Sequence, residues 1–206
     1  MSGETWASSQ RAFGAAAAWF AETVRGANGR WEDPGLGVWT VRDLIGHTSR
    51  ALVTVDGYLD TPPGSVDVDS AAGYFAAAST SLARAADVAQ RGREAGAALG
   101  ADIVASVSEL VGRVVARINA AGADILVGTP VGGMYLADYL PTRTFELVVH
   151  TCDLAAAVER SLDVPPDAAL EALALAGQLA VRGGQTGDLL LAATGRRPLP
   201  AGFTVL

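Results

Sequence analysis

Helical periodicity is the feature of this sequence that most limits the folds open to it. Between residues 101 and 121 apolar side chains recur at every third or fourth position, as on one face of an α-helix. Three further stretches, at 5–25, 40–59 and 137–160, have the length and apolar content of long helices, and no stretch alternates convincingly as a β-strand would. Four long amphipathic helices, with a crossing segment between the second and the third, predict an all-α fold built on a four-helix bundle.

Helix-capping residues and prolines mark where the predicted helices begin and end. Thr40 and Asp43 have the spacing of a capping box, in which a hydroxyl and a carboxylate bind free amides at the start of a helix. The second long helix should therefore start there and stop before residues 61–64, which contain two prolines. Pro141 falls in or close to the first turn of the last long helix, where its missing amide costs little.

The remaining segments are expected to be shorter or irregular. Residues 69–96 are rich in alanine and compatible with one or two short helices. Residues 122–139 contain several glycines and a proline, which predict a loop with at most one extended turn. A helix should follow two prolines from about residue 166 to residue 181, with a short helical piece near 188–193.

The chain is expected to form one domain with a short appendage. Its 206 residues show no internal repeat and no linker long enough to separate two globular units. We therefore predict a bundle over residues 1–160 and a C-terminal helical extension over residues 161–206 that packs on the bundle.

The charge balance excludes several classes of function. The net charge is -7 and the isoelectric point is about 4.7, so the basic surface that nucleic-acid binding requires is not expected. No apolar stretch is long enough to cross a membrane, and the N-terminus lacks the features of a secretion signal. With a single cysteine, Cys152, no internal disulfide can form. We expect an acidic cytoplasmic protein.

The two histidines of the sequence both fall within predicted long helices. Glu146 and His150 are four residues apart and therefore share one face of the last long helix. A facing helix could add His47, and two imidazoles with one carboxylate would leave a coordination position open on a metal ion. The alternative is that both histidines are core residues and that Glu146 forms an ion pair within its own helix.

Polar neighbours of these residues have competing interpretations. Asp153, one turn beyond His150, is placed to accept a hydrogen bond from its second ring nitrogen, although it could also face solvent. Arg143 could pair with Glu146 or with an anionic substrate. These four side chains form a polar stripe in a helix that is otherwise strongly apolar, which is costly to bury unless its members are paired or bind something.

Four other residues near the histidines are given structural roles. Arg50, three residues after His47, is expected on the exposed side of its helix, with a place in the cavity wall as the alternative, and capping accounts for Asp43. Cys152 points to nearly the opposite face from His150 and is expected to be a small core residue. Trp39 precedes the cap and should form a hydrophobic staple or a cavity wall.

Two motifs resemble those of a known superfamily. The first is WTVRDLIGH, which ends at His47, and the second is RTFELVVHTCD, which runs from Arg143 to Asp153. Together they resemble the DinB superfamily and, within it, the branch similar to mycothiol-dependent maleylpyruvate isomerase, over about residues 1–160. The resemblance implies a DinB-like four-helix bundle in which His47, Glu146 and His150 bind a divalent metal ion. It implies zinc first, with nickel or iron as other options.

The same resemblance implies a reaction. The metal would activate a low-molecular-weight thiol, mycothiol, for isomerisation of an electrophilic small molecule or for S-transfer to it. The isomerases of this branch carry a further C-terminal domain, for which residues 161–206 are too few, so thiol S-transfer is at least as well favoured. A metal-dependent hydrolase and a metal- or ligand-binding protein without turnover are the alternatives. Apolar outer helix faces would permit a homodimer.

Overall fold

Helices dominate the computed structural model, which describes residues 3–80 and 85–206. In chain order the elements of these residues are α1 (Gly3–Gly26), α2 (Val41–Tyr58), α3 (Ala71–Thr80), α4 (Ala85–Ala98), α5 (Ile103–Ala120), β1 (Leu126–Thr129), β2 (Gly132–Tyr135), α6 (Leu136–Ala157), α7 (Pro166–Arg182) and α8 (Thr186–Ala193). The all-α fold class predicted from the sequence is confirmed.

The four long helices enclose one apolar core. Helices α1 and α2 each pack against both α5 and α6, so that the four form a closed bundle. The bundle buries one stripe of each helix, as the periodicity predicts. Its largest fully buried side chains are Tyr139, Phe13, Phe20, Leu44, Ile45, Leu52, Ile103, Ile118, Met134, Leu136, Leu140 and Leu147.

The start of α2 follows the capping box expected from the sequence. The side chain of Thr40 accepts a hydrogen bond from the amide of Asp43 at 3.2 Å, and the Asp43 carboxylate accepts one from the amide of Thr40 at 3.2 Å. Two amides that the helix leaves free are thereby satisfied, and the negative carboxylate lies at the positive end of the helix dipole. The cap also determines the start of the helix that carries His47.

Helix α4 packs on α2 through glycine. A Cβ atom at Gly46 would lie 2.1 Å from the backbone nitrogen of Gly96, and one at Gly92 would lie 2.8 Å from the indole of Trp39. Real Cβ atoms do not approach backbone or a packed indole so closely, so glycine at these two positions allows contacts that alanine would prevent. Residues 69–96 thus contribute two helices, α3 and α4, as expected; the segment 81–84 between them lies outside the described residues.

A β-hairpin replaces the loop that the sequence predicts before α6. Strands β1 and β2 pair antiparallel, with Thr129 opposite Gly132, and Asp67 binds the hairpin from outside. The Asp67 carboxylate accepts from the Gly133 amide at 2.8 Å, and the Asp67 amide donates to the Gly133 carbonyl at 2.7 Å. The sequence-based expectation was wrong here because glycine-rich four-residue strands have little β-propensity of their own. Partners distant in sequence stabilise them.

Pro141 lies deeper in α6 than the sequence suggests. The helix begins at Leu136, so Pro141 is in its second turn, where it removes the bond that an amide would give to the Ala137 carbonyl. The first amides of α6 are satisfied by carbonyls of the segment before β1. The Leu136 amide donates to the Ile125 carbonyl at 2.7 Å, and the Ala137 amide donates to the Ala123 carbonyl at 3.2 Å. These bonds replace a side-chain cap.

The C-terminal helices lie against one side of the bundle. Helix α7 packs on α1 and α6, and α8 packs on α7. Their bounds agree with the helices expected after residue 165. The division into a bundle over residues 1–160 and an extension over residues 161–206 stays a prediction. Among the described residues, no helix combines the length and the apolar character needed to span a bilayer.

Candidate metal centre

Helices α2 and α6 bring both histidines and one carboxylate together. The Nε2 atoms of His47 and His150 lie 3.2 Å apart, and His150 Nε2 lies 3.2 Å from Glu146 Oε2. One ligand atom from each residue falls within 4.8 Å of the other two. The three side chains are partly buried and belong to the facing polar stripes of the two helices.

These separations suit a tetrahedral metal site. Ligand atoms at zinc–nitrogen distances of about 2.0 Å in tetrahedral geometry lie about 3.3 Å from one another. The two contacts of 3.2 Å at His150 Nε2 are close to this spacing, and all three ligand atoms lie within 4.8 Å of one another. Three protein ligands would leave one position free for another molecule, as in catalytic zinc sites. The residues present therefore fit a divalent ion.

Asp153 holds the other ring nitrogen of His150. The Nδ1 atom of His150 lies 3.1 Å from Asp153 Oδ2, which is the hydrogen bond expected from the three-residue spacing. Burial lowers the pKa of His150, but the hydrogen bonds to Asp153 and Glu146 outweigh it and raise the pKa to about 9. The bond to Nδ1 leaves Nε2 directed at the other two side chains, as in metal sites where a carboxylate orients the imidazole.

His47 is held in a less polar environment. Burial and, to a smaller extent, the neighbouring His150 lower the pKa of His47 to about 4, so its ring is neutral at pH 7. Its Nδ1 atom is buried and has no hydrogen-bond partner among the described residues. The indole of Trp39 packs on the ring with centroids 4.4 Å apart and donates from Nε1 to the Ala89 carbonyl at 3.0 Å. The indole of Trp39 therefore covers one side of the His47 ring.

Glu146 remains ionised although it is largely buried. Burial raises the pKa of its carboxyl, but the hydrogen bond to His150 and the positive charge of Arg143 lower the pKa below its ordinary value overall. The group is thus a carboxylate at neutral pH. An ionised carboxylate and a neutral imidazole are the forms in which these side chains bind metal ions.

A cavity of about 610 Å³ opens beside the three residues. Its size is within the range of small-molecule sites. Helices α2, α3, α4 and α6 and the tip of the β-hairpin surround it. The lining residues are His47, Arg50, Ala51, Thr54, Tyr58, Tyr74, Phe75, Ala78, Val88, Arg91, Pro130, Val131, Tyr139, Arg143 and Glu146.

Arg143 does not pair with Glu146, which was one of its two interpretations. No ion pair or hydrogen bond joins the two side chains. The guanidinium instead lies over two tyrosine rings, 4.9 Å from the centroid of Tyr139 and 5.3 Å from that of Tyr74. Its Nε donates to Thr142 Oγ1 at 3.0 Å, and the side chain is 8% exposed. Arg143 is therefore a buried cation in the cavity wall.

Two sequence-based assignments near the site need correction. Arg50 is half-buried and lines the cavity instead of facing solvent, because α4 packs on α2 and α3 contributes to the opposite wall of the cavity. Cys152 is partly buried and lies outside the core, where burial raises the pKa of its thiol. The role of Asp43 as a capping residue is confirmed.

The sequence analysis missed the aromatic wall and one arginine of the cavity. Tyr139 shows a signal that could have revealed it, since it lies four residues before Arg143 on the same helix face. Tyr58 lies eleven residues after His47, also on the same helix face. Tyr74 and Arg91 carry no such signal, because they come from alanine-rich helices with little periodicity.

The comparisons with known proteins agree with this architecture. The model of the family described as mycothiol maleylpyruvate isomerase N-terminal domain matches residues 11–155, a span that contains His47, Glu146 and His150. No curated protein and no solved structure matches the chain. The family match covers well over half of the sequence and both motifs. The chain therefore belongs to the family of the mycothiol maleylpyruvate isomerase N-terminal domain, which is DinB-like.

Proposed function

We propose that this protein binds one divalent metal ion, Zn²⁺, through His47, Glu146 and His150 and uses it to activate a low-molecular-weight thiol. The observation that carries the proposal is the pair of 3.2 Å contacts among the three ligand atoms, which have the spacing of a tetrahedral site. Mycothiol is the thiol we propose, since the family description names it. A free thiol as co-substrate requires a reducing compartment, so the proposal includes a cytoplasmic location.

The protonation states support a metal site more than a pair of core histidines. Without a metal, two imidazole nitrogens and a carboxylate oxygen lie in contact. Because all three atoms otherwise present lone pairs to one another, one of the two ring nitrogens must carry a proton and donate a hydrogen bond. Replacement of that proton by a divalent cation satisfies all three atoms at once, with Asp153 retaining the Nδ1 proton of His150.

The chain's own residues would prepare the reaction. A divalent ion held by His47, Glu146 and His150 would supply Lewis acidity, which would lower the pKa of a thiol so that thiolate is available at neutral pH. Trp39 packs on the ring of His47 and keeps water from that side of it, while His47 lines the cavity in which the thiol would bind. The sulfur would then add to the electrophilic carbon of an activated alkene while the C=C π bond breaks and a proton, equivalent to the one lost by the thiol, is taken up at the neighbouring carbon. The adduct is the product of S-transfer, whereas rotation about the new single bond followed by loss of that proton and of the thiolate would give the isomer.

Elemental analysis of purified protein tests the metal. We expect one equivalent of zinc in the wild type and in Glu109→Gln, an exposed carboxylate on α5 that serves as a matched control. Glu146→Gln and His150→Ala should lose most of the metal, because each removes one of three ligands. Metal content that stays the same in both variants would refute the proposal.

Thiol consumption tests the chemistry. With mycothiol and an activated alkene, we expect the wild type either to consume the thiol in S-transfer or to isomerise the alkene in a thiol-dependent reaction, and both activities to stop after chelation or in His150→Ala. Consumption that survives complete removal of the metal would contradict thiol activation at this centre. A metal-loaded protein that consumes no thiol but hydrolyses ester or amide substrates would favour a hydrolase instead.

A further inference from the structure

The outer face of α7 leaves apolar side chains in contact with solvent. Leu170, Leu173 and Val181 are each between 66% and 70% exposed. Together with Ala174 and Gly177 they follow one another along a single face of the helix, and these five residues are called the α7 stripe below. The opposite face of α7 is buried against α1 and α6. A contiguous apolar stripe on the surface, unlike scattered single residues, is typical of an interaction surface.

The α7 stripe is raised at one end and hollow at the other. Its N-terminal half carries the two leucines, which project into solvent. Its C-terminal half borders a hollow of about 610 Å³ between α7, α8 and the start of α3, lined by Val181, Leu189 and Leu190 among others. At Gly177, in the middle of the stripe, a Cβ atom would meet nothing within 4 Å. The described residues of this chain therefore leave the space over the middle of the stripe unfilled.

A second copy of the chain has the shape that fits this surface. In a pair with two-fold symmetry the same patch of both subunits meets, and two α7 helices can then run antiparallel across the axis. With the axis between Ala174 and Gly177, Leu170 lies opposite the partner's Val181. Leu173 then faces the hollow beside the partner's Gly177. The small residues next to the axis let the two helices approach closely, and each raised half fills the hollow half of the other subunit.

The charges at the two ends of α7 are complementary in the same arrangement. Asp167 lies in the first turn of the helix and Arg182 in the last, on the same flank of the stripe. In an antiparallel pair equal flanks face each other, so Asp167 lies beside the partner's Arg182, and the symmetry repeats this ion pair. Among the described residues Arg182 forms no ion pair. Asp167 contacts Arg11 only at 4.0 Å, with both side chains more than half exposed, so its carboxylate is available.

We propose that this protein forms a two-fold symmetric homodimer in which the α7 stripes and the adjoining hollows of two copies pack antiparallel. A second copy is the occupant because shape and charge are complementary in one and the same register. The net charge of -7 on each subunit opposes association, but at 0.15 M salt it is screened beyond about 8 Å. A contact along one helix of 17 residues, about 25 Å long, is small for a protein interface, so we expect a dissociation constant in the micromolar range.

Sedimentation equilibrium of the full chain, from about 1 to about 200 µM, tests the dimer. We expect the average mass to rise with concentration from the 21.0 kDa of one chain toward twice that value. A mass that stays at that of a single chain over the whole range would overturn the proposal. None of the stripe residues lines the cavity beside the metal centre. Metal content and association can therefore fail separately, and a metal-free protein that dimerises would refute only the metal centre.

An apolar-to-charged substitution locates the interface. Leu173→Asp should weaken association about tenfold or more, because it would place a carboxylate in an apolar hollow. Val53→Asp is the matched control, since Val53 is an apolar residue on α2 that is 53% exposed and lies outside the stripe. The control should associate like the wild type, and circular dichroism checks that both variants fold. Association of Leu173→Asp at wild-type strength, or an equal loss in Val53→Asp, would contradict the α7 interface.

Charge reversal tests the antiparallel register. Asp167→Arg and Arg182→Asp should each weaken association about fivefold or more, because the symmetry turns one reversal into two contacts between like charges. The variant with both reversals should recover to within about twofold of the wild type, since the ion pairs form again in the opposite order. The losses in the single variants should shrink as salt is added. Single variants that associate like the wild type, or a double variant in which both losses add up, would refute the proposed dimer.

Discussion

Replacement of Gly46 by alanine should destabilise the protein although alanine is the better helix former. Gly46 lies in α2 next to His47, and its Cα faces the backbone of α4. A Cβ atom there would lie 2.1 Å from the nitrogen and 2.5 Å from the Cα of Gly96, and 2.7 Å from the carbonyl carbon of Ala95. All three are backbone atoms, so no side-chain rotation relieves the overlap.

Two opposing effects determine how much Gly46→Ala changes the free energy of unfolding. Alanine stabilises a helix interior relative to glycine by about 1 kcal/mol. Overpacking of a close contact costs about 1–3 kcal/mol, and a clash with backbone should reach the upper end because α4 must move as a whole. The net loss is then about 2 kcal/mol in the free energy of unfolding, which for a chain of this size lowers the Tm by roughly 4–8 °C.

Urea denaturation followed by circular dichroism measures this change. Gly112→Ala is the matched control, because Gly112 lies within α5 and a Cβ atom there meets nothing within 4 Å. The control should gain up to about 1 kcal/mol. Tryptophan fluorescence gives a second readout, since Trp39 is bonded to Ala89 of the displaced helix. If Gly46→Ala is as stable as the wild type or more so, the close contact between α2 and α4 is wrong.

Three further substitutions test other parts of the structure. Asp153→Ala removes the hydrogen bond to His150 Nδ1 and should weaken zinc binding about 10–100-fold in a chelator competition; unchanged affinity would deny Asp153 an orienting role. Leu147→Ala empties a fully buried position and should cost about 2–5 kcal/mol in urea unfolding, so a loss below that range would argue against core packing there. Burial raises the pKa of Glu171, so its contribution to stability is full below the ordinary glutamate pKa and is lost as pH rises through the raised value. Glu171→Gln should therefore flatten the dependence of stability on pH between acidic and neutral conditions, and parallel pH profiles of variant and wild type would contradict this.

Local patterns in the sequence were sufficient to predict the helices and part of the site. Apolar spacing and the Thr40–Asp43 capping box depend on residues within a few positions of each other, and a helix brings such residues together whatever surrounds it. The same reasoning placed Glu146, His150 and Asp153 on one face, and the contacts of 3.2 Å and 3.1 Å agree with it. The geometry of a single helix, α6, is enough to place these three side chains next to one another.

Contacts between distant segments could be decided only by the tertiary structure. The 3.2 Å approach of His47 to His150, the Gly46–Gly96 contact and the hairpin bound by Asp67 each join residues far apart in the chain. Their formation depends on how whole helices pack, because no local propensity favours a glycine-rich strand or a glycine within a helix. Packing likewise placed the ring of Tyr74 beneath the guanidinium of Arg143. The sequence by itself determined which helices form and which side chains share their faces. The way the helices pack decided which faces meet, and so brought His47 to Glu146 and His150 beside the cavity.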